Sequence, residues 1–478
     1  MSLRGRRRAR LLLLVLTGAL IWTAAPQAAS AAGSLRLGLA DGFGPVSAPA
    51  ADRDTWLQRV RDTGAAMLRI DASWGSVAPQ APPEADAADP TWAGYAWTQL
   101  DDRVRALRAQ GITPLLMVTG APTWAQEDGA PSRVARGAWK PRAAAFGSFL
   151  RALAARYSGR FPDPLGGLLP RVDSFQLWNE PNLERHLAPQ REGGRAFAAT
   201  RFRELLNAGY AGVKAEQPDA VVVTGGLAPF GDYSGRIGRT PPVRFLESLL
   251  CVDRELRRSC RQRTSVDAIS HHPYAVRAPS SPALNPDDVT IPDLGKLTRV
   301  VRAARRAGTL GPKTPQLWVT EVSYDSAPPD PRGVPTARLS RWTAELLWHL
   351  WRQGVRTALW FQVRDQPAVP DYASTSQSGL FRLDGGLKPS AHAFRFPLVV
   401  TGKDRRRLRV WFRSPREGQV SVQVRRGSRW HTVRRVRSGA GDVRQTSVPV
   451  ARTGAVRAVV GGVTSYAWSG SPARKIQR

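Results

Sequence analysis

Short runs of apolar and β-branched residues alternate with longer amphipathic stretches between Leu35 and about Leu398. These runs are continuous in hydrophobicity, which is typical of parallel strands that are buried on both faces. Eight strands are predicted: Leu35–Ala40, Ala66–Ile70, Thr113–Thr119, Val172–Trp178, Ala220–Thr224, Val266–Ser270, Gln316–Thr320 and Thr357–Gln362.

Amphipathic stretches with apolar residues at helical spacing separate the strands. The predicted helices are Trp97–Gln110, Ala143–Tyr157, Phe202–Glu216, Leu294–Ala307 and Thr336–Arg352. Gly111, Gly308 and Gly354 follow three of them, as is common where a helix ends. Eight strands alternating with helices over roughly 360 residues predict a (β/α)8 TIM barrel with insertions. An open doubly wound sheet is the alternative, but no glycine-rich phosphate loop follows the first strand.

The hydrophobic pattern changes within 399–469, where apolar and polar residues alternate and turn residues intervene. The segments concerned are Leu408–Phe412, Val420–Val424, Trp430–Val436, Ser447–Val450 and Val456–Val460. They predict a small antiparallel β-sandwich. It is either a structural appendage, the more frequent case, or a carbohydrate-binding module using Trp411, Trp430 or Trp468. We therefore expect a barrel over 33–398, an accessory domain over 399–469 and a disordered tail over 470–478.

The first 32 residues have the three parts of a secretory signal peptide. A basic stretch, Arg4–Arg10, precedes the apolar Leu11–Ala25, and Ala29–Ala31 offers a small-residue cleavage site. An uncleaved anchor is the alternative, but the apolar run is short for a membrane span and is interrupted by threonine and glycine. No other segment is long and apolar enough to cross a bilayer. We expect a secreted, extracellular protein.

The chain has two cysteines, Cys251 and Cys260. In an exported protein a disulfide between them is expected, and two free thiols are the alternative. Their spacing fits no zinc motif.

The formal net charge is +32 and is carried almost wholly by arginine. Such a charge can attract an anionic surface such as cell-wall polymer, acidic polysaccharide or nucleic acid. A bias toward arginine codons is the interpretation favoured here, because the arginines are spread over the chain. No nucleic-acid recognition motif accompanies them, so no nucleic-acid partner is expected.

Two predicted strands run into glutamates. The fourth leads into Trp178-Asn179-Glu180-Pro181-Asn182, and the seventh leads into Glu321. Active sites of this barrel lie at the carboxyl ends of the strands. Strands four and seven are on roughly opposite sides, so the two carboxylates can face each other across the mouth.

Paired carboxylates suit the cleavage of a glycosidic bond. One acid must protonate the leaving oxygen, while the other carboxylate attacks the anomeric carbon or activates a water. The acid needs a raised pKa, which we expect proximity to the second carboxylate to supply. Either glutamate alone has an ordinary interpretation as an ion pair on the barrel rim.

The string from Trp178 to Asn182 resembles the acid/base motif of glycoside hydrolase clan A. It is most similar to the β-xylosidase-like family 39, and next to the cellulase-like family 5. The resemblance implies a retaining enzyme for a β-linked oligo- or polysaccharide, with Glu180 as acid/base and Glu321 as nucleophile. It also implies that Asn179 hydrogen-bonds the 2-hydroxyl of the sugar. This chemistry needs no metal and no organic cofactor.

Further residues of the predicted barrel match the same resemblance: Arg69, Trp74, Trp124, His272, Tyr274 and Trp360. Arg69, at the end of the second strand, and the Tyr274 hydroxyl are implied to contact Glu321 and to lower its pKa. Trp360 resembles the aromatic floor of the sugar subsite. Each of these residues alone also has an ordinary structural interpretation.

This sequence differs from the usual pattern of each family, so the clan assignment is firmer than the family assignment. Family 39 usually has Trp and Glu where Asp173 and Gln176 stand, and family 5 usually has His where Thr119 or Gly120 stands. The identity of the sugar, endo or exo action, hydrolysis or transglycosylation, and the oligomeric state are left open. A polysaccharide- or cell-wall-binding protein on a barrel scaffold is the competing interpretation.

Overall fold

The computed structural model describes residues 34–473 apart from 42–43, 45–47, 236–237, 312, 405 and 450–453. The predicted signal peptide lies outside these residues, as does 474–478 of the predicted tail. Within the described part of the chain, no helix is both long enough and apolar enough to cross a membrane.

Eight parallel strands close into a barrel, which confirms the predicted fold. Each strand pairs with its neighbour in the chain, and the last pairs with the first so that Leu39 is aligned with Trp360. The barrel strands are β1 (Arg36–Ala40), β2 (Met67–Ser73), β3 (Thr113–Thr119), β4 (Ser174–Leu177), β5 (Val221–Thr224), β6 (Ala268–His271), β7 (Gln316–Val322) and β8 (Val355–Phe361).

Helices accompany the strands and include the five that were predicted. The helices are α1 (Ala50–Asp62), α2 (Trp74–Val77), α3 (Thr98–Ala109), α4 (Ala143–Arg156), α5 (Phe197–Glu216), α6 (Pro242–Leu249), α7 (Gly295–Arg306), α8 (Thr336–Arg352) and α9 (Pro389–Arg395). The others escaped prediction because α2, α6 and α9 are short and α1 is rich in charged residues. A pair of two-residue strands, Ser326–Ala327 and Val334–Pro335, lies between β7 and α8.

The hydrophobic core has two layers. A small cluster fills the inside of the barrel: Ala40, Met67, Leu115, Val223, Ala268, Trp318 and Leu359. The larger core lies between strands and helices and continues into the C-terminal domain. Because successive side chains of a strand point to opposite faces, the inward Met67 places Arg69 and Asp71 on the inner face of β2 as well.

The C-terminal domain consists of two antiparallel sheets, as the sequence predicts. Its main strands are β9 (Leu398–Lys403), β10 (Arg407–Arg413), β11 (Gly418–Arg426), β12 (Arg429–Ser438), β13 (Val443–Pro449) and β14 (Ala455–Val460). One sheet has the order β9-β10-β13, and the other has β12-β11-β14 with two short strands beside β14. Strand β9 was not predicted, because its apolar start continues the pattern of the barrel.

Two of the three tryptophans considered for sugar binding in this domain are buried. Trp411 is fully buried, with its ring centroid 5.9 Å from that of Trp351 on α8. Trp468 is covered by the guanidinium of Arg341, which lies 4.0 Å from the ring centroid. Only the half-buried Trp430 keeps an accessible edge. Trp411 and Trp468 therefore pack against α8 and are not available to stack on a sugar.

Residues 470–473, the start of the predicted tail, make specific contacts with the rest of the protein. The Arg341 guanidinium donates hydrogen bonds to the carbonyl oxygens of Ser469 and Ser471, at 2.9 and 2.7 Å. Ala473 is buried, and its N–H donates to Val400 O at 2.8 Å. These contacts with α8 and β9 hold the segment, and sequence composition could not indicate them.

Cys251 and Cys260 form the expected disulfide, with their Cα atoms 5.0 Å apart. The bridge closes the loop between α6 and β6. The two cysteines are only nine positions apart, so the bridge constrains a short segment of that loop.

Candidate active site

The two predicted catalytic glutamates meet at the mouth of the barrel. Glu321 belongs to β7, and Glu180 lies three residues beyond the end of β4. Both residues are buried, with 8 % and 6 % of their surfaces exposed. A carboxylate oxygen of one lies within 4.8 Å of a carboxylate oxygen of the other, so one sugar ring can contact both.

Glu321 has a separate hydrogen-bond donor on each oxygen. The Arg69 guanidinium pairs with Oε1, and the Tyr274 hydroxyl donates to Oε2 at 2.8 Å. Burial acts to raise the pKa of Glu321, but His272 and Arg69 outweigh it and hold the pKa below its ordinary value. Glu321 is therefore kept ionised, as a nucleophilic carboxylate must be.

Arg69 makes the predicted contact from a different position in its strand. We expected it at the end of β2, but the strand continues to Ser73. Its Nε and Nη1 atoms are buried and have no hydrogen-bond partner among the described residues. The guanidinium is thus fixed mainly by Glu321 and by its position inside the barrel.

A bulge in β7 explains why two adjacent side chains reach the site. Val319 pairs with Ala358 of β8, and Val322 pairs with Trp360, so β7 holds one extra residue between the pairs. Such an insertion interrupts the alternation of side chains along a strand. Thr320 and Glu321 can consequently both face the centre of the barrel.

The loop that carries Glu180 has an unusual backbone. Trp178 and Glu180 have φ angles of 76° and 39°, in the left-handed region that non-glycine residues rarely adopt. Each such residue costs on the order of 1–3 kcal/mol and is kept where the surroundings demand it. Here the Trp178 indole donates to His186 O at 2.9 Å, and Asn182 is buried with its amide bonded to the backbone of Ala228.

Three basic side chains surround the Glu180 carboxylate. His272 Nδ1 lies 3.1 Å from Oε1, while Arg185 Nη2 donates to Oε2 at 3.0 Å and His186 Nε2 lies 3.6 Å from that oxygen. Burial acts to raise the pKa of Glu180, but its basic neighbours His186 and His272 bring it well below its ordinary value. In the free protein these basic neighbours favour the ionised form of Glu180, which is opposite in direction to the expected rise of its pKa.

His272 links the two carboxylates. Its Nδ1 lies 3.1 Å from Glu180 and 3.7 Å from Glu321, while Nε2 is 3.0 Å from Thr320 Oγ1. The ring is fully buried. A Cβ at Gly226 would overlap with the ring, so a glycine is needed at that position.

Asn179 was implied to hydrogen-bond the 2-hydroxyl of the sugar, and its side chain has an oxygen available for this. The residue is half-buried between the two left-handed positions of its loop. Its Oδ1 is buried and has no hydrogen-bond partner among the described residues. A buried, unpaired acceptor beside the carboxylate pair can accept a hydrogen bond from a sugar hydroxyl.

Trp360 does not form an aromatic floor. Only 1 % of its surface is exposed, its ring packs 6.5 Å from that of Phe394 on α9, and its indole donates to Ser378 O. Its neighbour Leu359 lies inside the barrel, so alternation directs Trp360 outward toward the helices. The half-buried Phe361, which packs against the inner cluster, is the aromatic residue of β8 on the inner face.

The two predicted loop tryptophans differ in position. Trp74 is fully buried and stacks on Phe149 of α4 at 5.9 Å, so it contributes to the core and cannot contact a substrate. Trp124 is half-buried, packs edge-on against Trp74 and donates from its indole to Ala78 O. Trp124 alone of this pair keeps a face at the surface.

Sequence reasoning missed an acidic residue beside the pair. Asp71 lies two residues after Arg69 on the inner face of β2, and it lines a cleft of about 820 Å³. Burial raises the pKa of Asp71, and the charge of Glu321 adds to the effect. Ser73, Gln99 and Arg103 also line the cleft. The i, i+2 spacing from Arg69 was the signal that could have identified Asp71.

A metal ion is one ligand that the cluster could hold in principle. Glu180, His272 and Glu321 offer ligand atoms that all lie within 4.8 Å of one another. Each carboxylate, however, is already paired with a guanidinium, from Arg185 or Arg69. The positive charge of both arginines opposes a further cation, so the geometry favours proton transfer and nucleophilic attack.

Comparison with known proteins relates this chain to others through its fold. No protein-family model matches the chain, and no curated protein matches its sequence. Among solved structures, a family 39 glycoside hydrolase from Bacteroides cellulosilyticus WH2 matches with a TM-score of 0.52 and 17 % identity, covering 86 % of this chain and 80 % of that one.

Two further structures match at the same level. A monomeric β-xylosidase from Caulobacter crescentus CB15 has a TM-score of 0.51 and 17 % identity, over 88 % of this chain and 95 % of that one. A glucosidase from Croceicoccus marinus has a TM-score of 0.50 and 15 % identity, over 88 % and 82 %. The predicted resemblance is thus confirmed in three dimensions, and this chain has the fold of the family 39 glycoside hydrolases.

Proposed function

We propose that this protein is a retaining glycoside hydrolase that cleaves the O-glycosidic bonds of a β-linked glycan. The observation that carries the proposal is the pair Glu180 and Glu321, whose oxygens approach within 4.8 Å. Carboxylates of retaining glycosidases are about 5–5.5 Å apart, whereas inverting enzymes separate theirs by about 6.5–9.5 Å to admit a water.

In the first step Glu321 attacks the anomeric carbon, and the glycosidic bond breaks as Glu180 gives its proton to the leaving oxygen. In the second step Glu180 accepts a proton from a water, whose oxygen displaces Glu321 from the sugar. Arg69 and Tyr274 support the nucleophile by keeping it ionised. Asn179, with its unpaired Oδ1, supports the binding of the sugar.

Glu180 must take up a proton before the first step can occur. In the free protein its basic neighbours favour the ionised form, since they hold its pKa well below the ordinary value. Catalysis therefore depends on substrate binding or acid conditions to restore the proton. The same neighbours favour the second step, in which an ionised Glu180 acts as the base.

The proposal also places the protein outside the cell. A predicted signal peptide over 1–32 and a formal charge of +32 support secretion and association with anionic cell-wall polymer. Detection of the mature chain in the culture medium, with its N-terminus near residue 33, tests the export.

The test of the enzymatic proposal is sugar release by the purified mature protein. The substrates are a panel of aryl β-glycosides and of plant, fungal and bacterial polysaccharides. Glu321→Gln is expected to abolish release, and Glu180→Gln to lower it about 10²- to 10⁴-fold on substrates with poor leaving groups. Glu255→Gln, at a side chain that is 63 % exposed, is the matched control and is expected to retain activity.

A glycan-binding protein on the same scaffold would give a different result. The wild type would bind a polysaccharide of the panel without releasing sugar, and both glutamine variants would bind it equally well. That outcome would overturn the enzymatic proposal.

A further inference from the structure

Arg185 is an exposed arginine in direct contact with the proposed general acid. Its Nη2 atom donates to Glu180 Oε2 at 3.0 Å, and its Nε lies 3.1 Å from His186 Nε2. The side chain is 67 % exposed, whereas that of Glu180 is 8 % exposed. Arg185 therefore covers the solvent side of the carboxylate, where a leaving group must enter and depart.

Both oxygens of Glu180 already take part in a contact with a basic side chain. His272 Nδ1 occupies Oε1 at 3.1 Å, and Arg185 occupies Oε2 at 3.0 Å. A carboxylic acid that donates to a leaving oxygen must carry its proton on an oxygen that faces that atom. Each oxygen keeps a second lone pair, but the leaving oxygen must approach from the solvent side, where Arg185 already contacts Oε2. We therefore expect one of the two contacts to open when Glu180 acts as an acid.

The two contacts differ in their ability to open. The His272 ring is fully buried, and Thr320 holds its other nitrogen at 3.0 Å. Arg185 is held by one hydrogen bond to Glu180 and one to the partly exposed His186. Arg185 is therefore the side chain that can leave without disturbing the buried part of the site.

A neutral hydroxyl is a poor competitor for a guanidinium that already pairs with a carboxylate. An anionic group competes well for it, because the planar guanidinium of arginine binds carboxylate, sulfate or phosphate through paired hydrogen bonds. The predicted mature chain keeps a large excess of arginine over acidic residues, which would also draw anionic glycans toward the protein.

We infer that Arg185 recognises an anionic group on the leaving-group side of the scissile bond, and that this recognition frees Glu180 Oε2 to carry the catalytic proton. The inference rests on the proposed function and names the substrate class: glycans whose leaving unit bears a carboxylate, sulfate or phosphate. The groups that face Glu180 after Arg185 has moved are His186, His272, Tyr274 and Glu321.

The test compares glycosides that differ only in the charge of the leaving group. The 4-carboxybenzyl and 4-carbamoylbenzyl β-glycosides of the sugar released in the panel are matched in size and need acid assistance equally. A 4-sulfobenzyl glycoside tells whether any anion suffices. The variants are Arg185→Gln and the control Arg257→Gln, whose side chain is 73 % exposed and pairs with Asp253.

For the wild type and the control, kcat/KM is expected to be about 5- to 10-fold higher for the 4-carboxybenzyl glycoside than for the 4-carbamoylbenzyl glycoside. A difference of this size is what one ion pair at the protein surface contributes. Arg185→Gln is expected to remove that preference. On the amide it is also expected to extend activity to higher pH, since the acid keeps its proton longer without the guanidinium. Unchanged thermal unfolding of the variant would separate this effect from misfolding.

Equal cleavage of carboxylate and amide by the wild type, with no change in Arg185→Gln, would overturn the inference and leave the glycosidase proposal standing. Failure of the wild type to cleave any glycoside would overturn the proposed function, and the inference with it.

Discussion

The Tyr274 hydroxyl lies 2.8 Å from Glu321 Oε2 and so donates to the oxygen that Arg69 does not bind. Burial and the charge of Glu321 raise the pKa of Tyr274 well above its ordinary value, so the hydroxyl remains a donor. The nucleophile is thereby supported at once from within β2, by Arg69, and from the loop after β6, by Tyr274.

Tyr274→Phe removes this donor and keeps the ring. A hydrogen bond to a charged group contributes about 1.5–3 kcal/mol, so kcat is expected to fall about 10- to 100-fold. The acid limb of the pH profile should move to higher pH, because the pKa of Glu321 rises. Steady-state kinetics against pH measures both effects. Tyr233→Phe, at an exposed tyrosine bonded to Asp288, is the control, and an unmoved acid limb would contradict this role.

The pH dependence of the wild type follows from the two carboxyl groups. Glu321 must be ionised and Glu180 must be protonated in the free enzyme. The pKa values of both groups are held below the ordinary value of a glutamate, so kcat/KM for a neutral glycoside is expected to be highest at acid pH. It should decline as Glu180 loses its proton with rising pH. A flat profile from pH 5 to about pH 8 would show that Glu180 keeps its proton.

A buried ion pair stabilises the loop between β8 and α9. Lys388 Nζ donates to Asp365 Oδ1 at 2.6 Å, to Ser326 Oγ at 2.8 Å and to Gln377 O at 2.7 Å. Lys388→Met leaves the buried carboxylate of Asp365 uncompensated and is expected to lower the free energy of unfolding by about 3–5 kcal/mol. Denaturant titration measures the loss.

An ion pair on the protein surface is the matched control for the buried pair of Lys388 and Asp365. Arg171 and Asp219 are 2.6 Å apart, with side chains that are 39 % and 72 % exposed. Arg171→Gln is expected to change stability by no more than about 1 kcal/mol. Similar small effects for Lys388→Met and Arg171→Gln would mean that the buried pair contributes little.

His349 on α8 makes the fold sensitive to acid. Neither ring nitrogen has a hydrogen-bond partner among the described residues, and burial, with the charge of Arg352, lowers its pKa to about 4. The unfolded chain binds a proton below about pH 6.5, whereas the folded chain resists it, so stability is lost as pH falls from about 6.5 toward 4.

His349→Leu removes that titration and fills the site with an apolar side chain. The variant is expected to unfold at a higher temperature than the wild type at pH 5, and the advantage should shrink at pH 8. Calorimetry at the two pH values gives the comparison, with the exposed His431→Gln as control. A constant difference at both pH values would assign the effect to packing alone.

Sequence patterns predicted the parts of this protein that are regular or that depend on short motifs. The eight strands followed from hydrophobic runs, and Glu180 and Glu321 from their positions just after two of those runs. The roles of Arg69 and Tyr274 were implied by the resemblance to clan A. Trp360 was assigned to the wrong face, since a single residue of register decides which side of a strand is inward. Arg185 was missed because its contact with Glu180 depends on the path of an irregular loop.

The most direct test of the carboxylate pair is to trap the glycosyl-enzyme. The mature protein is incubated with the 2-deoxy-2-fluoroglycosyl fluoride of the sugar that it releases, and its peptides are analysed by mass spectrometry. A retaining mechanism predicts one covalent sugar on the peptide that contains Glu321, and none in Glu321→Gln. A sugar on another residue, or cleavage with inversion and no adduct, would contradict the assignment of Glu321 as nucleophile.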